Sequence, residues 1–213
     1  MPARISKLET NRQTGKTQVE TQRVSILDAA EALFLEKGLE NTNMKDIAAR
    51  TGITRVSLYR YFSDRDPIAF EIAVRMLKRI AAAAAGGEPI TNLESFRDYV
   101  IRMIDQFYVL RPAYRYISMF DNLYDNHYPN TELADWYKAQ IFALGWREWA
   151  APDNRLGIDP SLSAMLLNST MSFLEKMAAR GELMSDEQEV SMDDELAFYK
   201  EMIQVYFNRL AAG

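Results

Sequence analysis

Between Met44 and Leu58, three positions meet the steric demands of two short helices crossing at a tight turn. Such a crossing needs a small residue where the backbones approach and a residue tolerant of a left-handed turn. It also needs an apolar residue that seals the second helix onto the first. Counted from Met44, the fifth, ninth and fifteenth positions are Ala48, Gly52 and Leu58. Glycine takes a positive φ without steric cost, and Leu58 with Ile47, Ile53 and Phe62 fills the space behind the turn. The solvent side of the second helix is left with Thr54, Arg55, Ser57, Tyr59, Arg60 and Tyr61. A helix that only packs would carry Glu and Lys there. Arginines suit paired hydrogen bonds to guanine and hydroxyls suit phosphate oxygens, so the pattern implies a helix-turn-helix that reads double-stranded DNA.

The surrounding chain reads as helix throughout. Apolar residues recur at spacings of three and four, and no window sustains the alternation of a strand. The first helix is expected over Arg23 to Lys37, with Ile26, Leu27, Ala30, Leu33 and Phe34 on one stripe and Gly38 as its stop. Asn43 and Asp46 have capping-box spacing for the second helix, Thr54 caps the third, and Asp66-Pro67 opens the fourth. After Gly86-Gly87 the starts repeat. Thr91 with Glu94 is expected to cap a fifth helix and Pro112 to open a sixth that fades near Tyr124. A seventh is expected from Thr131 to Trp149, an eighth from Asp159-Pro160 to Arg180, and a ninth from Ser191 to about Leu210. The expected fold is all-α: a three-helix DNA-binding domain followed by a larger six-helix domain for ligand binding and dimerisation. The expected boundaries are 1–21 as a flexible basic-polar tail, 22–66 as the helix-turn-helix domain, and 67–213 as the effector and dimerisation domain.

The net charge of −5 is unevenly spread. Residues 1–66 carry 11 Lys and Arg against 9 Asp and Glu, while the remainder carries 14 against 21. A mildly basic front on an acidic body is the asymmetry expected when only one end approaches phosphates. The tail, with Arg4, Lys7, Arg12 and Lys16, reads either as a disordered segment or as an arm along the DNA backbone. No apolar run is long enough to span a bilayer, and the first residues lack the apolar core of a secretion signal, so the expectation is a cytoplasmic protein with no membrane partner. With no Cys there is no thiolate chemistry. His127 is the single histidine and lacks the companions of a metal site. Catalytic residues, metals and cofactors are therefore not expected. Without DNA affinity, the same chain would be a helical small-molecule binding or sequestering protein.

Over about 48 residues the segment resembles the DNA-binding domain of the TetR (tetracycline-repressor) family of bacterial regulators. The likeness is carried by Arg23, Ile26-Leu27, Ala29-Ala30, Leu33-Phe34, Gly38, Thr42, Asp46-Ile47-Ala48, Gly52-Ile53, Leu58-Tyr59, Tyr61-Phe62 and Arg65. The resemblance implies an all-helical homodimer whose carboxy-terminal domain binds a small molecule and switches DNA affinity. It implies that Lys45 and Arg55 reach bases, that Thr42, Ser57, Tyr59, Tyr61 and Arg65 hold phosphates, and that Arg60 does either. Thr54 and Val56 complete the expected contact set. Val56 stands where many members have Gly or another small residue, so the helix tip either reads a thymine methyl or approaches DNA differently. Arg65 replaces the usual Lys, and Asp66-Pro67 the usual Glu.

The later helices are crowded with aromatic and Met side chains. For any one of them the plain expectation is an ordinary core, while the resemblance implies a roomy effector pocket with a few polar groups. The candidate lining is Met103, Phe107, Tyr116, Phe120, Trp136, Gln140, Asn168, Met171 and Glu175. Gln140, Asn168 and Glu175 interrupt otherwise apolar stripes, and an unpaired buried Glu would be costly. The final helix is apolar over two faces, Leu196–Ile203–Leu210 and Phe198–Met202–Val205. One face should pack on its own domain and the other on a partner. Small residues on the helix before it permit close approach, so the last two helices are the expected homodimer interface. The reading is a regulator, a repressor released by a small apolar or aromatic effector from a near-palindromic operator.

Overall fold

The computed structural model describes residues 3–87, 89–124, 131–144, 157, 159–180 and 190–212. Among these it contains helices and no strand: α1 (Ala3–Lys37), α2 (Met44–Thr51), α3 (Arg55–Tyr59), α4 (Arg65–Ala85), α5 (Leu93–Asp105), α6 (Phe107–Tyr124), α7 (Thr131–Phe142), α8 (Pro160–Ala179) and α9 (Met192–Ala212). They fall into two compact units, Met1–Ile72 and Ala73–Gly213, with the division inside α4.

In the first unit, α1 buries Ile26, Leu27, Ala30, Leu33 and Phe34. It stops at Gly38, whose N–H still closes onto the Phe34 carbonyl at 2.9 Å and whose positive φ then turns the chain out of the helix. The helix begins at Ala3, where a flexible tail was expected through residue 21. Lys, Glu, Arg and Gln, which are good helix formers, recur through this stretch, with Gly15 as its one strong breaker. A helix already anchored by a buried stripe extends backward without a new nucleation step.

In the second unit α6 packs most extensively on α8, α5 lies against α9, α8 and α6, and the interior is largely aromatic. Phe96 meets Phe207 edge-on at 5.9 Å, Phe107 stacks on Tyr114 at 6.1 Å, and Phe120 lies 5.2 Å from Tyr137. Two starts differ from expectation. Asn92, not Thr91, caps α5, because its carboxamide accepts from the Ser95 N–H at 2.8 Å while Ser95 Oγ accepts from the Asn92 N–H at 3.0 Å. Pro112 lies inside α6 rather than opening it. Only Gln106 separates α5 from α6, and burial of Phe107 and Leu110 draws the helix back past the proline. The expected end of α7 at Trp149 lies outside the described residues, as does His127.

Candidate functional site

Each step of the α2–turn–α3 motif has a local cause. The Asn43 side chain accepts from the N–H groups of Lys45 (2.9 Å) and Asp46 (3.2 Å), and the Asp46 carboxylate accepts from the Asn43 N–H at 3.2 Å. That reciprocal cap starts α2. Gly52 ends it at φ 69°, which lets the Ile53 N–H reach the Ala48 carbonyl at 3.2 Å. Thr54 then caps α3 by accepting from the Ser57 N–H at 3.1 Å. Ala48 and Leu58 are buried at the crossing, as the spacing demands.

This packing turns Lys45, Thr54, Arg55, Val56, Tyr59 and Arg60 outward and leaves Ser57 and Tyr61 half-buried. Val56 is 76% exposed and Tyr59 52%. Among the described residues, no ion pair involves Lys45, Arg55 or Arg60, so three cations stand on this side without protein partners. Arg50, close by in sequence, is instead joined to Glu36 through two hydrogen bonds of 3.2 and 2.7 Å. The guanidinium of Arg50 holds the Glu36 carboxyl below its ordinary range.

Two expected phosphate contacts face the protein. Thr42 is 1% exposed, and its hydroxyl donates to the Gly38 carbonyl at 2.9 Å. Its position just beyond α1 makes it a closure for that helix's unpaired carbonyls. Arg65 donates to the Leu39 carbonyl at 3.0 Å and pairs with Asp66 at 3.4 Å. Its guanidinium thus holds the loop after α1, which also wants a cation near a helix end. Arg23, which the sequence offered no role, reaches the Tyr61 carbonyl at 3.1 Å and lies over the Phe62 ring at 4.2 Å. Only the unusual placement of an Arg beside an apolar stripe hinted at this.

The expected effector residues separate into three groups. Met103, Phe107, Tyr116, Phe120 and Met171 are buried, and Tyr116, Phe120, Tyr124 and Tyr137 form a run of neighbouring rings. Gln140 and Glu175 are half-buried. Burial pushes the Glu175 carboxyl up to about 8, with the Asp121 carboxylate adding to the shift. Trp136 and Asn168 are exposed. Asn168 shares its outward side of α8 with Met165, Ser169 and Ser172, positions three or four residues apart on one helix face. It therefore belongs to an outer surface and not to the interior where the apolar stripe had placed it.

The family of bacterial regulatory proteins called tetR has a model that matches residues 26–72, from α1 through this helix-turn-helix into α4. Residues 26–72 therefore carry a TetR-family amino-terminal domain. An HTH-type transcriptional regulator of Haemophilus influenzae is 31% identical over 103 residues, 44% of this chain and 50% of that protein. A second, from Mycobacterium tuberculosis, is 28% identical over 144 residues, 68% of this chain and 60% of the relative. The chain thus spans between half and three-fifths of the length of these curated relatives. The HTH-type transcriptional repressor KstR2 of Rhodococcus jostii is 41% identical over 51 residues, 24% of this chain and 25% of that one. Among solved structures, a TetR-family regulator from Syntrophomonas wolfei matches with a TM-score of 0.59 at 18% identity, covering 91% of this chain and 96% of that one. At that identity the likeness speaks for the fold. Among the described residues the chain shares the all-helical fold of that structure, and the relatives are transcriptional regulators, not enzymes.

Proposed function

We propose that the chain is a DNA-binding transcriptional regulator, a repressor that acts as a homodimer in the cytoplasm and is released by a small apolar or aromatic effector. The observation that carries the reading is the outward side of the α2–turn–α3 motif. Lys45, Arg55 and Arg60 stand there unpaired among the described residues, beside Thr54, Val56 and Tyr59, on a frame whose caps and turn are all satisfied. Residues 22–66 would supply the reader and residues 67–213 the effector and dimer functions.

Dimerisation is supported by α8 and α9. Met165 is 66% and Phe198 69% exposed, with Met202 and Val205 also outward, while Leu196, Ile203 and Phe207 on the other side of α9 are buried. A dimeric helix-turn-helix protein reads two half-sites about one helical turn of DNA apart, roughly 34–36 Å, which makes the operator a near-palindrome. The aromatic interior of the second unit supports an apolar or aromatic effector. Such a molecule acts only through unequal affinity for the two states of the dimer.

The test is selection of duplexes from a random library by the full chain, followed by titration of the winner over a range of salt. The regulator gives one enriched near-palindrome and an affinity falling steeply with salt, with a log–log slope of roughly −0.9 per neutralised phosphate. A chain that enriches nothing and shows no salt-dependent affinity is a binding or sequestering protein instead.

A further inference from the structure

Position around α3 is as informative as exposure. At roughly 100° per residue, Leu58 and Ser57 mark the side turned toward the domain, and the opposite direction falls midway between Val56 and Tyr59. Arg55 and Arg60 flank that centre on either side. The part of the reader best placed to go deepest into a groove is therefore a valine beside a tyrosine, with the guanidinium groups at its margins. Val56 is 76% exposed, more than Val19, Val24 or Tyr59 in the same unit. A single exposed apolar residue is ordinary in itself. This one lies where base edges would be met.

We infer that Val56 packs on the C5-methyl group of a thymine in each operator half-site and selects that base. The inference rests on the DNA-reading function proposed above. In the major groove thymine alone offers an apolar group, while the other bases present donors and acceptors. Valine can satisfy none of these, and covering them without a partner costs their hydration. The contact also removes from water a side chain that the fold leaves exposed. Arg55 and Arg60, at the margins, remain free for guanine or phosphate.

The experiment uses the full chain and the duplex it selects, with each thymine replaced in turn by deoxyuridine, which lacks only the methyl. One thymine per half-site should prove sensitive, at about fourfold in affinity, the worth of burying one methyl-sized group. In Val56→Ala the same replacement should matter by less than about twofold. Val56→Thr keeps one methyl of the valine and should retain the sensitivity. Two outcomes overturn the inference while leaving DNA binding intact: no thymine is sensitive, or the sensitivity survives in Val56→Ala. Failure to select any duplex would overturn the DNA-binding reading itself, and this inference with it.

Discussion

The Arg23 guanidinium lies 4.2 Å above the Phe62 ring while donating to the Tyr61 carbonyl at 3.1 Å, so one side chain of α1 holds the chain just beyond the reading helix. The same guanidinium pairs with Glu71 on α4. Removing it leaves the end of α3 without its clamp. Arg23→Ala is expected to destabilise the first unit by about 1–3 kcal/mol, the sum of a partly desolvated cation–π contact and a charge-assisted hydrogen bond. Arg23→Lys should recover only part, since a point charge cannot cover the ring and reach two acceptors together. Hydrogen exchange at the Leu58 and Phe62 amides reports the change. Unaltered protection there would show that the clamp is dispensable.

The turn is the second place where one residue controls the reader. Gly52 has φ 69°, and a Cβ added there would meet nothing within 4 Å. Gly52→Ala therefore introduces backbone strain without a clash, a loss of about 1–2 kcal/mol. Folded Gly52→Ala should still bind the operator, because α3 keeps its Thr54 cap and its Leu58 anchor. A variant that is stable but no longer binds would mean that the turn sets the angle of α3 as well as its existence.

Arg55 and Arg50 separate a reader from a strut. Arg55 is exposed and no described ion pair holds it, whereas Arg50 is joined to Glu36. Arg55→Ala is expected to weaken operator binding by about 1–3 kcal/mol and to relax preference at one base position. Arg50→Ala should lower affinity by far less and leave sequence preference alone. An equal loss for Arg55→Ala on every duplex would make Arg55 a phosphate contact.

These contrasts mark what the sequence could and could not disclose. Ala48, Gly52, Leu58, the Asn43–Asp46 box and the Thr54 cap act over a few residues, so their spacing alone located them. The helices of the second unit were legible for the same reason. The hydrogen bonds of Thr42 and Arg65 were not legible because their partners, the Gly38 and Leu39 carbonyls, are backbone atoms that carry no residue-type signal. Arg23 and Tyr61 lie 38 residues apart, and nothing in the spacing joins them. Asn168 looked like a polar break in a buried stripe, but which side of α8 is buried depends on α6, and periodicity does not reveal that.

The outward face of α8 and α9 yields a prediction about assembly. Phe198 is 69% exposed, and the buried side of the same helix carries Leu196, Ile203 and Phe207. Phe198→Arg should leave folding of the single chain intact, since the ring contributes little to its own core. Sedimentation should show a shift from dimer to monomer at micromolar concentration, and operator affinity should fall because one reader must bind without the other. A wild-type chain that sediments as a monomer would remove the interface altogether.

Glu175 makes stability depend on pH. Its carboxyl is raised from an ordinary 4.5 to about 8, first by burial and then by Asp121. Below the ordinary value both folded and unfolded chains hold the proton, and the residue has no effect on stability. Between about 4.5 and 8 the unfolded chain releases the proton while the folded chain retains it, so stability falls as pH rises through that window. Above it the penalty is constant. Glu175→Gln removes this titration, so the variant should gain on the wild type by on the order of 1–3 kcal/mol at pH 8.5 and by almost nothing at pH 4.5. The difference between the two proteins cancels the pH dependence of the other carboxylates. Urea unfolding at several pH values, followed by tyrosine and tryptophan fluorescence, measures it. A gain that is the same at every pH would mean that the glutamate side chain reaches water in the folded state.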